Sequence, residues 1–188
     1  MVVRIAIQDF VQDPKIDIAY DAEMNVSIVR KLKQLMAIVS EIVPFKPNIS
    51  KIAAMLKIGR NNITDYLLYM EEAGIIAQLR SETSGVRARG KVDKIYLENT
   101  NLVQQLGNEN QNVGNVRESF FLNQTRVQHQ VNTSAMADFS INDSDFEVGG
   151  KNKGLKQIKN APKGFVVKDD IEQGYLNVIP LWLFGLLY

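Results

Sequence analysis

The sequence predicts an α+β chain built as two units, and three observations carry that reading. Apolar residues recur at three- and four-residue steps over residues 23–74, then give way to the alternation expected of strands. A polar, glycine-bounded stretch, "GNENQNVGN" at 107–115, interrupts both patterns and marks a boundary. Beyond it a helical stretch, short strand-like pieces, a second short helix and a further strand describe a small α/β unit. The expected organisation is therefore a first unit over 1–106, a linker over 107–114 and a second unit over 115–188.

The first element is "EMNVSIVRKLKQLMAIVSEIV", 23–43, with Val26, Val29, Leu32, Leu35, Met36 and Val39 on one face. Pro44 and Pro47 stop it. A second helix follows in "PNISKIAAMLKIG", with Asn48 as N-cap, Ile49, Ile52, Ala53 and Leu56 inward, and Gly59 as the turn that ends it. The third, "RNNITDYLLYMEEAG", turns Ile63, Tyr66, Leu67 and Met70 inward and stops at Gly74. Tyr69 and Met55 are expected in the same core. "IIAQLR" then reads as a strand, "SETSGVRARGKVD" as a polar loop over 81–93, and "KIYL" as the partner strand. Three helices closed by a two-stranded hairpin are the element order of a winged helix-turn-helix, with 81–93 as its wing.

In the second unit, "VGNVRESFFLNQTRVQ" reads as an amphipathic helix with Val116, Phe120 and Val127 inward. Strand-like pieces follow in "QHQVNTS", "ADFSIN" and "DFEVGG", with Asp143 and Asp145 expected in the turn between the last two. A short helix around "GLKQIK" leads to the strand "GFVVKDD", whose acidic end reads as a turn. "VIPLWLFGLLY", 178–188, is the one strongly apolar run, but a membrane helix needs ~20 such residues, so a buried closing helix or strand is expected, or a hydrophobic partner surface.

Composition narrows the chemistry. Twenty-two lysines and arginines face 21 aspartates and glutamates, so a nucleic-acid contact must come from a local patch. The chain has no cysteine, which removes disulfides, cysteine nucleophiles and thiolate metal sites and suits a reducing cytoplasm. Asp9, Asp13 and Asp17 interrupt the N-terminus before any apolar run builds up, so a soluble cytoplasmic protein without a membrane partner is expected. His129 is the single histidine, which excludes histidine-rich metal sites.

"GVRARGKV", 85–92, has the spacing of a phosphate-binding loop, but Val92 stands where the serine or threonine should follow the lysine, and a strand rather than a helix comes next. No bound nucleotide is expected. The same residues suit a wing: Arg87, Arg89 and Lys91 alternate along an extended loop, where they would meet a phosphate backbone. Arg60, Asn61 and Asn62, with Lys57, gather at the start of the third helix, where a recognition helix meets DNA. Docking of another protein is the alternative use of this surface, since Asp65, Glu71 and Glu72 make the helix mixed in charge.

The second candidate site lies in "ADFSINDSDFEVGGK", where Asp138 and Glu147 fall on neighbouring strand-like pieces and Lys151 follows. Two carboxylates brought together can hold magnesium or manganese through hard oxygen ligands, and a lysine beside them can stabilise charge on a phosphoryl group. This is the logic of the PD-(D/E)XK nucleases, in which Glu118 on the preceding helix and Gln157 on the following one would be auxiliary groups. That motif has one residue between acid and lysine, putting them ~7 Å apart on one strand face. Here there are three, and a straight strand would separate Glu147 from Lys151 by ~13 Å unless Gly149 and Gly150 kink it.

Five segments, "VPFKPNISKIAAMLKIGRNNITDYLLYMEEAGII", "KIYLENTNL", "GNVRESFFLNQ", "FEVGGKNKGLKQI" and "IPLWLFGLLY", resemble the C-terminal half of a family of prokaryotic AAA-type ATPases. In those proteins a P-loop ATPase module precedes a winged helix and a domain with a restriction-endonuclease-like fold. The resemblance covers most of the chain from about residue 20. It implies that Glu118, Asp138, Glu147, Lys151 and Gln157 fall on positions the nuclease fold uses, and that an ATPase module or another protein is a partner beside DNA. It also implies that this chain, which has no segment able to serve as the ATP-binding loop, corresponds to that C-terminal region and does not hydrolyse ATP alone.

Overall fold

The computed structural model describes residues 26–81, 92–106 and 112–187. Helix α1 (Val26–Ile42) buries Leu32, Leu35, Met36 and Val39, the stripe its three- and four-residue spacing dictates. In α2 (Ile49–Leu56) the Asn48 side chain accepts a hydrogen bond from the Lys51 N–H, satisfying one of the helix's unpaired donors, and Lys57 ends the helix in the left-handed conformation. Helix α3 (Arg60–Glu72) turns Ile63, Tyr66, Leu67 and Met70 inward. Tyr69 and Met55 do not join them: both are exposed, because they lie off the buried stripes of their helices.

Strands β1 (Ile76–Arg80) and β2 (Val92–Leu97) form an antiparallel pair, with Ile76 opposite Leu97 and Gln78 opposite Ile95. Residues 82–91 between them, including Arg87, Arg89 and Lys91, lie outside the described residues. The short α4 (Thr100–Leu106) adds Leu102 and Val103 to the helical core. Because strand side chains alternate, the hairpin has two buried faces. Ile76, Ile95 and Leu97 pack with α1, α2 and α3, while Ala77, Leu79 and Tyr96 belong to a second core.

That second core lies against a four-stranded sheet of β3 (Phe139–Ile141), β4 (Ser144–Gly149), β5 (Gly164–Lys168) and β6 (Val178–Pro180) in sequential order. The β3–β4 pair is antiparallel, and β4–β5 and β5–β6 are parallel. Helix α5 (Val113–Thr125), capped by the Asn112 side chain, covers one face. It does so with Phe121 and Leu122, whereas Phe120 and Val116 are only half-buried. Val127 is 57 % exposed because the helix ends at Thr125. Phe121 packs against Phe139, Phe146 and Phe184 at centroid distances of 5.0, 5.5 and 4.7 Å.

The opposite face is covered by a 3₁₀ helix, Gln157–Asn160, that inserts Ile158 and links β4 to β5. Asp145 is not in the β3–β4 turn: Asn142 and Asp143 form it with positive φ, and Asp145 sits in β4, accepting a hydrogen bond from Ser134. The apolar C-terminal run becomes β6 and a second 3₁₀ helix, Leu181–Leu186, with Leu181 buried and Trp182, Leu183 and Leu186 exposed. Among the described residues no helix is long and apolar enough to cross a membrane.

Candidate functional site

Phe146 and Val148 face the aromatic core, so the intervening Glu147 must point to the other side of β4. There it is 1 % exposed. The β3–β4 register pairs Phe139 with Phe146, and one step beyond it Asp138 falls opposite Glu147. The Asp138 Oδ2 accepts the N–H of Val148 at 2.9 Å, which fixes its carboxylate beside the acid-bearing strand. The two acids that stand nine residues apart in sequence are thus cross-strand neighbours.

Glu118, from α5, lies near enough to Asp138 for its charge to act on that carboxyl. Its Oε2 accepts hydrogen bonds from Lys94 Nζ and Tyr96 Oη, both at 2.8 Å. Lys94 and Tyr96 stand two apart on β2 and therefore share a face, with the Lys94 ammonium 5.3 Å from the Tyr96 ring centroid. Tyr96 is fully buried, and burial, reinforced by the Glu118 charge, pushes its hydroxyl far above the usual range, so it stays a donor. Burial, the charges of Glu118 and Glu147, and only partial relief from the Val148 N–H and Lys94 push the Asp138 carboxyl up to about 6.

Glu147 has a lysine partner, and it is Lys153. The chain turns after β4, with the Lys153 N–H donating to the Gly150 carbonyl at 2.9 Å, and the Lys153 side chain runs back over the strand to place Nζ against Glu147 Oε1. This contact is one of charge rather than of hydrogen-bond geometry, and Glu147 Oε2 has no hydrogen-bond donor among the described residues. Lys151, the lysine expected at this site, is exposed. The physical reason is the turn itself: it carries residue 151 outward and returns the chain two residues later. Gln157 is exposed at the start of the 3₁₀ helix.

The glycine pair gives room to two cations. A Cβ on Gly149 would lie 2.7–2.8 Å from the Cβ, Cγ and Cδ of Lys153, and one on Gly150 would lie 3.1 Å from an Arg117 nitrogen. Arg117 is itself tied to Asp169 at 2.9 Å and approaches Asp170 at 3.8 Å, so the acidic end of β5 serves as its anchor.

The donors available to a divalent ion are hard carboxylate oxygens, and the unpartnered Glu147 Oε2 opposite Asp138 suits one. Among the described residues no three acidic or histidine side chains are grouped closely enough to share an ion, so water and substrate oxygens would complete its shell, as is usual for magnesium.

Arg60, Asn61 and Asn62 occupy the first turn of α3, all exposed. Gly59, the N-cap, offers no side chain to the first N–H groups of that helix.

No protein-family model matches the chain, and no curated protein or solved structure matches it either. Sequence spacing alone does not mark Lys94, Tyr96 and Lys153 as residues of this site. The "KIY" alternation puts the first two on one strand face, but only the packing of the hairpin against α5 brings that face to Glu118.

Proposed function

We propose that this chain is a nucleic-acid-binding region made of a winged helix and a PD-(D/E)XK-like unit, and that the second unit catalyses magnesium-dependent phosphodiester cleavage. The observation that carries the reading is the convergence of Asp138 and Glu147 across β3 and β4, with a lysine ammonium against the buried acid. The order helix, antiparallel strand pair, crossover and parallel strand supports it, since that order puts both acids on neighbouring strands. Three helices followed by an antiparallel hairpin support the winged helix. The segments that resemble prokaryotic AAA-type ATPases support a place in the C-terminal region of such a protein in the cytoplasm, with the ATPase module as a partner.

Asp138 and Glu147 would hold the metal, which polarises a phosphoryl oxygen and makes bound water a better nucleophile. The protein's own groups do the rest. Lys94 and Tyr96 hold Glu118 in place, and the Val148 N–H orients Asp138. In hydrolysis the water oxygen bonds to phosphorus, the bond from phosphorus to the leaving oxygen breaks, and that oxygen takes up a proton while the water gives one to solvent.

The test is calorimetric titration with magnesium and manganese of wild type, Asp138→Asn and Glu147→Gln, with cleavage assays on single- and double-stranded DNA. Metal binding and cleavage that both variants lose are expected. A second reading has its own observation: Glu118 and Glu147 already have protein cations, which suits a nuclease-like fold that docks a protein without cleaving. Absence of site-dependent metal binding would decide for it.

A further inference from the structure

We propose that Lys153, reaching back over Gly149, is the lysine of the carboxylate site and supplies the positive charge that a strand lysine two residues after Glu147 would otherwise supply. The inference rests on the nuclease reading and names the residue on which its electrostatics depend.

Three observations on separate atoms carry it. The Lys153 Nζ lies against Glu147 Oε1, the acid that is 1 % exposed. The Lys153 Cβ, Cγ and Cδ occupy the space into which any side chain at position 149 would project, at 2.7–2.8 Å from the Cβ that residue would have. The turn closed by the Lys153 N–H on the Gly150 carbonyl sets the direction of this return. Position 149 shares a strand face with Glu147, so it is where the acid–any–lysine spacing would place its lysine. Glycine there is thus a requirement of Lys153 and not a hinge for Lys151. A lysine stem crossing from the next turn puts an ammonium at the same acid by a different backbone route.

The role is electrostatic. The Lys153 ammonium would stand beside the negative charge that grows on the phosphoryl oxygens, and water supplies both the new oxygen and the proton balance of the hydrolysis described above. In the absence of substrate the same ammonium neutralises Glu147, so it opposes a divalent ion at Oε1.

The experiment compares wild type, Lys153→Met, Lys151→Met, Gly149→Lys and Gly149→Lys combined with Lys153→Ala, measuring manganese affinity by calorimetry and DNA cleavage on the same preparations. Cleavage is expected to fall roughly 10²- to 10³-fold in Lys153→Met, the scale of losing one preorganised charge donor. Its manganese affinity should tighten several-fold, while Lys151→Met stays within about twofold of wild type, as expected of an exposed charge. The double variant should recover part of the lost cleavage, whereas Gly149→Lys alone should not, for lack of room. Loss of cleavage in Lys151→Met with Lys153→Met active would overturn the assignment, and so would equal manganese affinity in all variants. If wild type binds manganese without cleaving, the nuclease reading fails by itself. Tighter binding in Lys153→Met alone would then still identify Lys153 as the site's cation. Wild type that binds no manganese sinks both.

Discussion

Asp138 carries a charge where its surroundings oppose one. Burial, with the neighbouring Glu118 and Glu147 charges, pushes its carboxyl up to about 6, whereas an unfolded aspartate titrates near 3.9. Below about pH 4 both states hold the proton and the residue costs nothing. As pH rises toward 6 the unfolded chain ionises first, so stability falls through that window and the cost is constant above it, at most ~3 kcal/mol and less after solvent screening. Asp138→Asn keeps an oxygen for the Val148 N–H and removes the charge. In chelator-treated buffer it should unfold at higher denaturant than wild type at pH 8 and show no such gain at pH 4; an equal difference at both values would refute the account. Gly164 gives a steric counterpart. A Cβ there would stand 2.7 Å from Ile158 Cβ and 3.0 Å from the Ile158 carbonyl, whereas nothing lies within 4 Å at Gly154. Gly164→Ala should lose ~1–3 kcal/mol as overpacking does, and Gly154→Ala should change little, both read from urea midpoints.

At the scale of elements the hairpin is the decisive piece. It serves both cores, so Ile95 on one face and Leu79 on the other are each essentially inaccessible. Ile95→Ala and Leu79→Ala should each cost ~2–5 kcal/mol, and calorimetry should still record one transition, because either loss loosens a wall both halves share. Two separated transitions with only one of them shifted would show independent units. This double burial also explains what was legible in the sequence. Helices α1, α2 and α3 expose one face, so their apolar spacing announces them, and the Asn48 cap could be placed by type and position. That Asp138, just before β3, and Glu147 on β4 come together was legible because cross-strand partners follow from a short turn. Lys153 was not, since its partner depends on the path of the turn after Gly150, and a strand period says nothing about a side chain that returns from outside the strand. Phe121 and Leu122 were missed in favour of Phe120 and Val127 because α5 meets a sheet on one side and the hairpin on another, which blurs a single stripe.

For the whole molecule the governing quantity is a net charge of only +1. A chain so nearly neutral has no general attraction for DNA, so on the proposed reading affinity would come from a few phosphate contacts, for which the sequence offers Arg60, Arg87, Arg89 and Lys91. Each contact releases condensed counterions, and the logarithm of affinity falls with the logarithm of salt by about 0.9 per contact. Four contacts would weaken binding roughly 10²-fold between about 50 and 200 mM salt. Fluorescence anisotropy of a labelled duplex should show this slope, and alanine at any one of the four cations should reduce it by about one unit while lowering affinity for every sequence alike. Asn61→Ala and Asn62→Ala should leave the slope unchanged and alter only the preference among sequences, because an uncharged side chain releases no counterion. Duplex binding that shows no salt slope and ignores all four cations would overturn the DNA-binding reading in favour of protein docking.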